Sequence, residues 1–457
     1  MGIKKSDKVK KPADRKLNKS GSVVLLSLLC IVMAFVLVMS FLRFPMGVQD
    51  YNSVLGAVKL DYDIAGGTSY TLTLAKDNLE EIEDVNDVVN TLSYRMSELG
   101  YKNYSIKALK STEKDVEDYE IRIAARTTDS LASDIAVVAA YGEIAVYGGT
   151  SQNPTTQILT EKQAIANATY NGSYTGTDGT TYYQVGILFT DYGYSEIKAK
   201  IEEASKGEES GSFYLEIKLG DTVLLSGTSA LTMQSFSGKT LGIVSSTEAS
   251  AKQMALQIRT GGLAYKYDIS EGVAITSPYG ADVDLKCVIV ISSLLVLLMV
   301  AFIAIYKGYG IGMSLSLLAF MLIEVCMLIA VPGVVLSLGG VIGIALSTIV
   351  TAICLVITAD KLKAELKNTE KTVKAATKKS YKDSLFPIIN LLVSSGIVSV
   401  LFLIFVGGAA YGFAVTFGIG VITGAITSLV LSRMFSALLF NIADYNEKFI
   451  GVKREEA

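Results

Sequence analysis

The sequence predicts a membrane α-helical bundle of six transmembrane helices with one large α+β extracytoplasmic domain between the first and second helix. Three observations predict it. Half of the 457 residues are hydrophobic, too many for an ordinary soluble chain of this length. Six apolar runs are long enough to cross a bilayer core, which needs about 20 residues as helix. A long polar stretch, roughly Phe44 to Leu285, separates the first run from the other five.

The first run is Ser22 to Leu42. It is too long and uniform for a cleavable signal peptide, and no small-residue cleavage site follows it, so it reads as a retained anchor. The others are Cys287 to Tyr306, Ile311 to Ala330, Val335 to Thr358, Leu385 to Val406 and a last one within Ala409 to Phe440. Orientation follows from Lys and Arg near the helix ends. Residues 1–19 carry eight basic side chains against Asp7 and Asp14. The connection from Asp360 to Asp383 carries eight lysines against four acids, and Lys307 lies in the short link between the second and third runs. All three segments agree on cytoplasmic termini in the cell membrane and on an outer domain. The expected layout is a basic cytoplasmic tail at 1–21, a first span at 22–43, the outer domain at 44–285, five spans within 286–440 with a cytoplasmic loop at 359–384, and a second tail at 441–457. The loop's lysines also suit contact with acidic lipid headgroups.

Within the outer stretch, Ala57 to Tyr62 and Ser69 to Leu74 alternate apolar and polar residues as strands do. Val85, Val88, Val89, Leu92, Met96 and Leu99 recur at helical spacing, and Gly100 stops the helix. Glu120 to Ala124 reads as another strand. A second helix, Thr247 to Ile258, opens at Ser246-Thr247-Glu248. Strand, helix, strand in this order predicts an α+β base at about 57–130 and 240–275. The looser segment 131–239, with short strands at Val185 to Phe189 and Tyr214 to Leu219, reads as a head inserted in it. Tyr183, Phe189 and Tyr214 are its candidate aromatic surface for capturing peptide; filling the head's own core is the plainer alternative.

Composition excludes some chemistry. The chain has no His, so Ser-His-Asp catalysis and histidine acid–base chemistry are ruled out. Its four cysteines, Cys30, Cys287, Cys326 and Cys354, all lie in apolar runs and lack metal-site spacing. No metal, cofactor, nucleic-acid partner or enzymatic activity is expected. Gly308-Tyr309-Gly310-Ile311-Gly312 joins two membrane runs and follows no strand, so it reads as a tight turn and not as a phosphate loop. Gly339/Gly343 and Gly420/Gly424 are small-xxx-small pairs that let membrane helices approach closely. Glu324 sits mid-span, where a carboxylate is costly unless protonated, paired or facing water. Its functional reading is proton or ion handling; its plainer reading is hydrogen-bonded packing. Asn390, Ser394 and Ser395 share one later span, with interhelical hydrogen bonding as the plainer reading.

Taken in order, these residues resemble the SecD family, the larger auxiliary subunit of bacterial Sec protein export and a branch of the resistance-nodulation-division superfamily. Leu60-Asp61-Tyr62-Asp63-Ile64-Ala65-Gly66-Gly67 is similar to the family's Leu-Gly-Leu-Asp-Leu-x-Gly-Gly, and Arg95 to Gly100 fits Arg-x-x-x-Leu-Gly. Ile258-Arg259-Thr260-Gly261-Gly262-Leu263 resembles Leu-Arg-Ser-Gly-Ala-Leu. Ser337 to Gly343 resembles Thr-Leu-Pro-Gly-Ile-Ala-Gly, Asp360 to Leu366 resembles Glu-Arg-Ile-Lys-Glu-Glu-Leu, and Gly412-Phe413-Ala414-Val415-Thr416 matches Gly-Phe-Ala-Val-Thr.

The resemblance implies half of a transporter-like twelve-helix assembly, a ferredoxin-like base with an inserted head, a SecF-like partner and a nearby SecYEG channel. It implies a cycle in which the proton gradient helps pull an emerging polypeptide outward. The motif positions it marks are Asp63, Gly66, Gly67, Gly343, Gly412 and Phe413. The chain departs from the family where that cycle depends on acids. The family's fourth-helix Asp falls at Ile353 and its fifth-helix Asp at Asn390, and Ser394-Ser395 replace a Thr pair. Ile binds no proton and an Asn amide does not titrate. Glu324 is then the one acid deep in a span able to substitute, and it is expected near Asn390 and the Ile353 turn. Two other functions stay open at this point. One is a small-molecule or lipid transporter of the same superfamily, which would need a dimer to complete twelve spans. The other is a structural export subunit without its own proton coupling.

Overall fold

A computed structural model describes residues 19–46, 49–75, 85–110, 119–151, 154–160, 164–177, 179–206, 212–226, 230–367, 372–406, 409–446 and 449. Most of the basic N-terminal tail, Lys371 in the basic loop and most of the C-terminal tail lie outside them. The chain divides into two compact units, Met1–Ile64 with Tyr279–Ala457, and Ala65–Pro278.

The Ala65–Pro278 unit begins with strand Gly67–Leu74, the helix Val85–Glu98, and strands Tyr104–Lys110 and Tyr119–Ala125. The three strands and the later short strands Tyr267–Ile269 and Val273–Ile275 form one antiparallel sheet, with Gly67–Leu74 and Tyr119–Ala125 inside it. The helix lays Val88, Leu92 and Met96 against Leu72, Ile121 and Ile123, all in one core. Its end has the geometry glycine permits: Gly100 has φ +97°, and the Tyr101 N–H reaches back to the Met96 carbonyl. Gly66 also has a positive φ, +83°, and a Cβ there would lie 2.3 Å from the Ile275 carbonyl oxygen.

Beyond this sheet come helix Leu131–Val138, strand Ile144–Gly149, strands Ile165–Thr175 and Thr181–Phe189, helix Asp191–Lys206, strand Phe213–Leu219, strand Thr240–Ser245 and helix Glu248–Thr260. Two further sheets form, one around the Ile144–Gly149 and Phe213–Leu219 pair and one around Thr181–Phe189. They share a core that includes Ile144, Ile187, Phe189, Ile197 and Ile217. Phe189 is 1% exposed, so it fills this core and offers no capture surface, while Tyr183 and Tyr214 are half-buried. The limits drawn at 131 and 239 fall inside packed structure. Leu131, Ile135 and Val138 join the first core. Thr240–Ser245 pairs with Thr181–Phe189, and the helix after it packs Ala251 and Ala255 on Val185. That helix is capped as its sequence suggests, Thr247 Oγ1 accepting from the Ser250 N–H.

Arg95 joins the two groups of elements within this unit. Its guanidinium, 1% exposed, donates to the carbonyls of Val138 (2.8 Å) and Gly261 (2.9 Å). These are the ends of the two helices flanking the crossings between the groups. The crossings are also bonded to each other: Gly142 N–H to Leu263 O, Gly262 N–H to Gly142 O, and Leu263 N–H to Ala140 O.

The other unit holds the helix Lys19–Phe41, a hairpin Arg43–Met46/Gln49–Asn52, and the helices Val283–Ala330, Leu338–Lys367, Val373–Phe405 and Ala409–Ile426, the last continuing through a π-turn Thr427–Leu431 into Ser432–Ile442. Five of these helical stretches are long and apolar enough to cross a membrane. The 48-residue helix is broken at Lys307, with φ 50° and ψ −125°. Across the break Ser314 Oγ donates to the Met299 carbonyl at 3.2 Å, and a Cβ on Gly310 would lie 2.1 Å from Phe302 O. Residues 15 apart in a straight helix are separated by roughly 22 Å along the axis, so the two halves fold back on each other. The sequence placed the turn at Gly308–Gly312; the chain reverses one residue earlier, at Lys307, and the glycine run is helical and opens the second half. The expected strand Ala57–Tyr62 is not formed. A 3₁₀ turn covers Leu55–Ala57, Leu60 makes a single bridge to Leu336, and a helical turn covers Tyr62–Ala65. Backbone bonds from Asp61 N–H to Leu336 O and from Leu336 N–H to Lys59 O capture the segment instead of a sheet.

Candidate functional site

The motif residues Asp63, Gly343, Gly412 and Phe413 converge on one place, the start of helix Leu338–Lys367 and the helix beside it. Asp63 is buried, and its Oδ2 accepts from the Leu338 N–H at 2.8 Å. Ser337 Oγ accepts from the Gly340 N–H at 3.2 Å. A carboxylate at a helix N-terminus satisfies an orphan donor and complements the dipole. Helix Ala409–Ile426 then packs at near-backbone contact. A Cβ on Gly343 would lie 2.2 Å from Thr416 Oγ1 and 2.7 Å from Phe413 O, and one on Gly412 would lie 2.0 Å from Ser337 Oγ. Thr416 Oγ1 donates to Gly340 O at 2.8 Å across the interface. Phe413 stacks on Phe417, centroids 5.4 Å apart. Gly66 and Gly67 of the same sequence motif lie in the other unit, at the start of its first strand.

The same two helices enclose Glu324 one to two turns further along. Its side chain is fully buried. Oε1 accepts from Ser347 Oγ at 2.9 Å, and Oε2 has no partner among the described residues. Gly420 makes the room: a Cβ there would lie 2.3 Å from Ser347 Oγ and 2.5 Å from Glu324 Oε1. Gly424 does the same for Thr351, 2.4 Å away. No cation faces the carboxyl among the hydrogen bonds and ion pairs of the described residues. An ionised carboxylate with one hydrogen bond in so dry a place is heavily penalised, whereas a neutral carboxylic acid needs only modest compensation.

Hydroxyls continue along the interface. Thr351 Oγ1 and Thr427 Oγ1 are buried without a partner among the described residues, and Thr427 opens the π-turn. Beyond it Tyr381 OH meets Ser432 Oγ and Ser436 Oγ, each at 3.1 Å. A π-turn of this kind often marks a functional position in a helix.

The expected neighbourhood of Glu324, Asn390 and Ile353 is not formed. Ile353 is 43% exposed and Asn390 is exposed, both on outward faces of their helices. Ile353 lies six residues from Ser347, about 120° away around the helix, so one helix cannot turn both toward the carboxyl. Ser394 is likewise exposed, its hydroxyl bonded back to Leu391 O, and Ser395 is buried. The pairing of Glu324 with Ser347 and the space left by Gly420 were not read from sequence. The small-xxx-small spacing at Gly420/Gly424 was the available signal.

No protein-family model matches the chain. It is similar to protein translocase subunit SecD of Escherichia coli K12, 31% identical over 194 residues, which are 42% of this chain and 31% of that one. To SecD of Leptotrichia buccalis it is 24% identical over 399 residues, covering 87% of this chain and 91% of the relative. A crystal structure of SecDF in a super-membrane-facing form matches with TM-score 0.68 at 19% identity, over 95% of this chain and 59% of that one. The matched stretch thus spans about a third of the Escherichia coli relative and under two thirds of the solved SecDF chain.

Proposed function

We propose that this chain, a divergent member of the SecD/SecDF family, is an auxiliary membrane subunit of Sec-dependent protein translocation that helps draw exported polypeptide across the cytoplasmic membrane. The observation that carries the reading is the similarity to a SecD protein along nine-tenths of that protein's length, with Asp63, Gly343, Gly412 and Phe413 meeting at one helix–helix junction. In this reading the two halves of Val283–Ala330 are separate crossings, giving six spans, with termini inside and residues 65–278 outside. The first sheet and its helices serve as a ferredoxin-like base. The elements between Ala140 and Gly261 swing on the paired crossings as the head.

Two finer points belong to the proposal. The first is the partner. Asn390 sits on an apolar face of Val373–Phe405, exposed and with no hydrogen bond among the described residues. A primary amide facing lipid is costly. We read this face, with Ile353, as covered by a SecF-like chain, the complex sitting at the SecYEG channel. The second is the proton. Glu324, and neither Ile353 nor Asn390, is the group that would take it up, with Ser347 as the donor that holds its Oε1 more tightly when it is ionised. If coupling resides in the partner instead, Glu324 only packs, a reading favoured by the untitratable Ile353 and Asn390.

Depletion of the chain in its own cells tests the function. Precursors of exported proteins should accumulate, and a plasmid copy should clear them. Normal export after depletion would refute the assignment. A photoreactive residue at position 390 should crosslink to a second membrane protein; adducts to lipid alone would remove the partner surface.

A further inference from the structure

The helix Lys19–Phe41 rests on the bundle through its middle turns. Leu26, Leu29 and Met33 pack with Ala319 and Phe435 in one apolar cluster. Its last turns, with Leu37 and Phe41, border a cavity of about 550 Å³. The remaining walls come from both halves of the broken helix, chiefly Val288, Ile291, Met321 and Leu322 with Glu324 among them, and from Val341 and Ile344 of helix Leu338–Lys367. The segment Ser53–Leu60 closes one end. It is held there by Val54 N–H to Met39 O and by Gly56 N–H to Ser53 Oγ. The volume falls within the roughly 300–1,000 Å³ of small-molecule sites.

Two charged side chains on this cavity stay exposed: Arg43, just past the first helix, and Asp284, at the start of the broken one. Neither has an ion-pair partner among the described residues. Both lie where their helices leave the apolar run, which in the proposed arrangement is the headgroup level. A cation and an anion on one rim, above an apolar cleft, complement a zwitterion with a hydrocarbon tail. The wall is mostly apolar: Ser40 Oγ is spent on Val36 O and Ser53 Oγ on Gly56 N–H, leaving Ser292 and the buried Glu324 as the polar side chains below the rim. An inserted polypeptide would strand its own amides there, whereas an acyl chain strands nothing.

We propose that this cleft is a bound-lipid site for a phosphoethanolamine phospholipid. One acyl chain lies between the first helix and the broken helix, Arg43 takes the phosphate and Asp284 takes the ammonium. The site stands whether or not Glu324, which reaches its inner wall, handles protons.

The test uses the full chain in nanodiscs of equal phosphoethanolamine and phosphoglycerol lipid. A trace of either lipid carries a diazirine on one acyl chain, and adducts are mapped by mass spectrometry. Phosphoethanolamine adducts should be enriched at Phe41, Val288 and Leu322 over Phe405, which faces outward on another helix. Val288→Trp, which fills the cleft, should abolish the enrichment while labelling at Phe405 persists. Arg43→Ala leaves the core intact, because Arg43 is exposed, and should by itself remove the preference for the phosphoethanolamine probe. Equal labelling at Phe41 and Phe405, no change in Arg43→Ala, or a polypeptide crosslinked at these positions in place of lipid would overturn the proposal.

Discussion

Gly343→Ala puts one methyl group where helix Leu338–Lys367 meets helix Ala409–Ile426. The new Cβ would lie 2.2 Å from Thr416 Oγ1, 2.7 Å from Phe413 O and 3.0 Å from Phe417 N. Two of the three obstacles are backbone, so turning one side chain does not relieve the clash. The helices must separate, and Thr416 then loses its 2.8 Å bond to Gly340 O. Overpacking of this kind costs about 1–3 kcal/mol. Alanine's better helix propensity returns up to about 1 kcal/mol. The net destabilisation is about 1–2 kcal/mol, a roughly 5–30-fold loss in the folded-to-unfolded ratio. Gly396→Ala is the matched control, a helix glycine with nothing within 4 Å of its Cβ position, which should be neutral or stabilising. Reversible unfolding in mild detergent, followed by circular dichroism, compares the two. If Gly343→Ala is as stable as Gly396→Ala, the close helix crossing argued here is wrong.

Other perturbations have defined outcomes. Asp63→Ala removes the acceptor for Leu338 N–H and should cost about 0.5–2 kcal/mol, as loss of an N-cap does, while Asp63→Asn keeps much of it; the same unfolding assay reads both. Arg95→Met strands the carbonyls of Val138 and Gly261 and should speed amide exchange at Gly261–Leu263 well beyond that of the Tyr119–Ala125 strand; uniform exchange would refute the clasp. Tyr101 is pushed up to about 12 by burial and by its 2.7 Å bond to Asp134, against an ordinary value near 10. The unfolded chain therefore releases this proton first. The Tyr101 contribution is intact below pH 10 and is lost as pH rises from 10 to about 12. Tyr101→Phe should flatten that part of the stability profile, and an unchanged slope would remove Tyr101 as its cause.

Much of the fold was legible. Val88, Leu92 and Met96 repeat at helix period, and Gly100 stops them because its backbone takes positive φ. Thr247 caps the helix after it by a local hydrogen bond that sequence alone can propose. Ala57–Tyr62 misled for a physical reason: alternation is what a strand needs, but Asp61 and Asp63 were spent on a turn and on capping a distant helix. The candidate site was half legible. A mid-span Glu324 announces itself, because few reasons justify a carboxyl at that depth. Its partner does not, since the membrane helices are apolar nearly all round and carry no stripe that sets their rotation. Ser347 facing inward and Asn390 facing outward depend on that rotation, which only packing determines.

In the proposed function this chain assists translocation across the membrane through a proton taken up at Glu324. Its most direct test is completion of export in inverted vesicles prepared from depleted cells and loaded with purified chain. A translocation intermediate is arrested, a proton gradient is imposed, and the protease-protected fraction is read over time. The account predicts that wild-type chain restores gradient-stimulated completion and that Glu324→Gln, folded and equally abundant, leaves only the gradient-independent rate. Gradient stimulation undiminished in Glu324→Gln would contradict the proton assignment, and no effect of the wild-type chain would contradict the function itself.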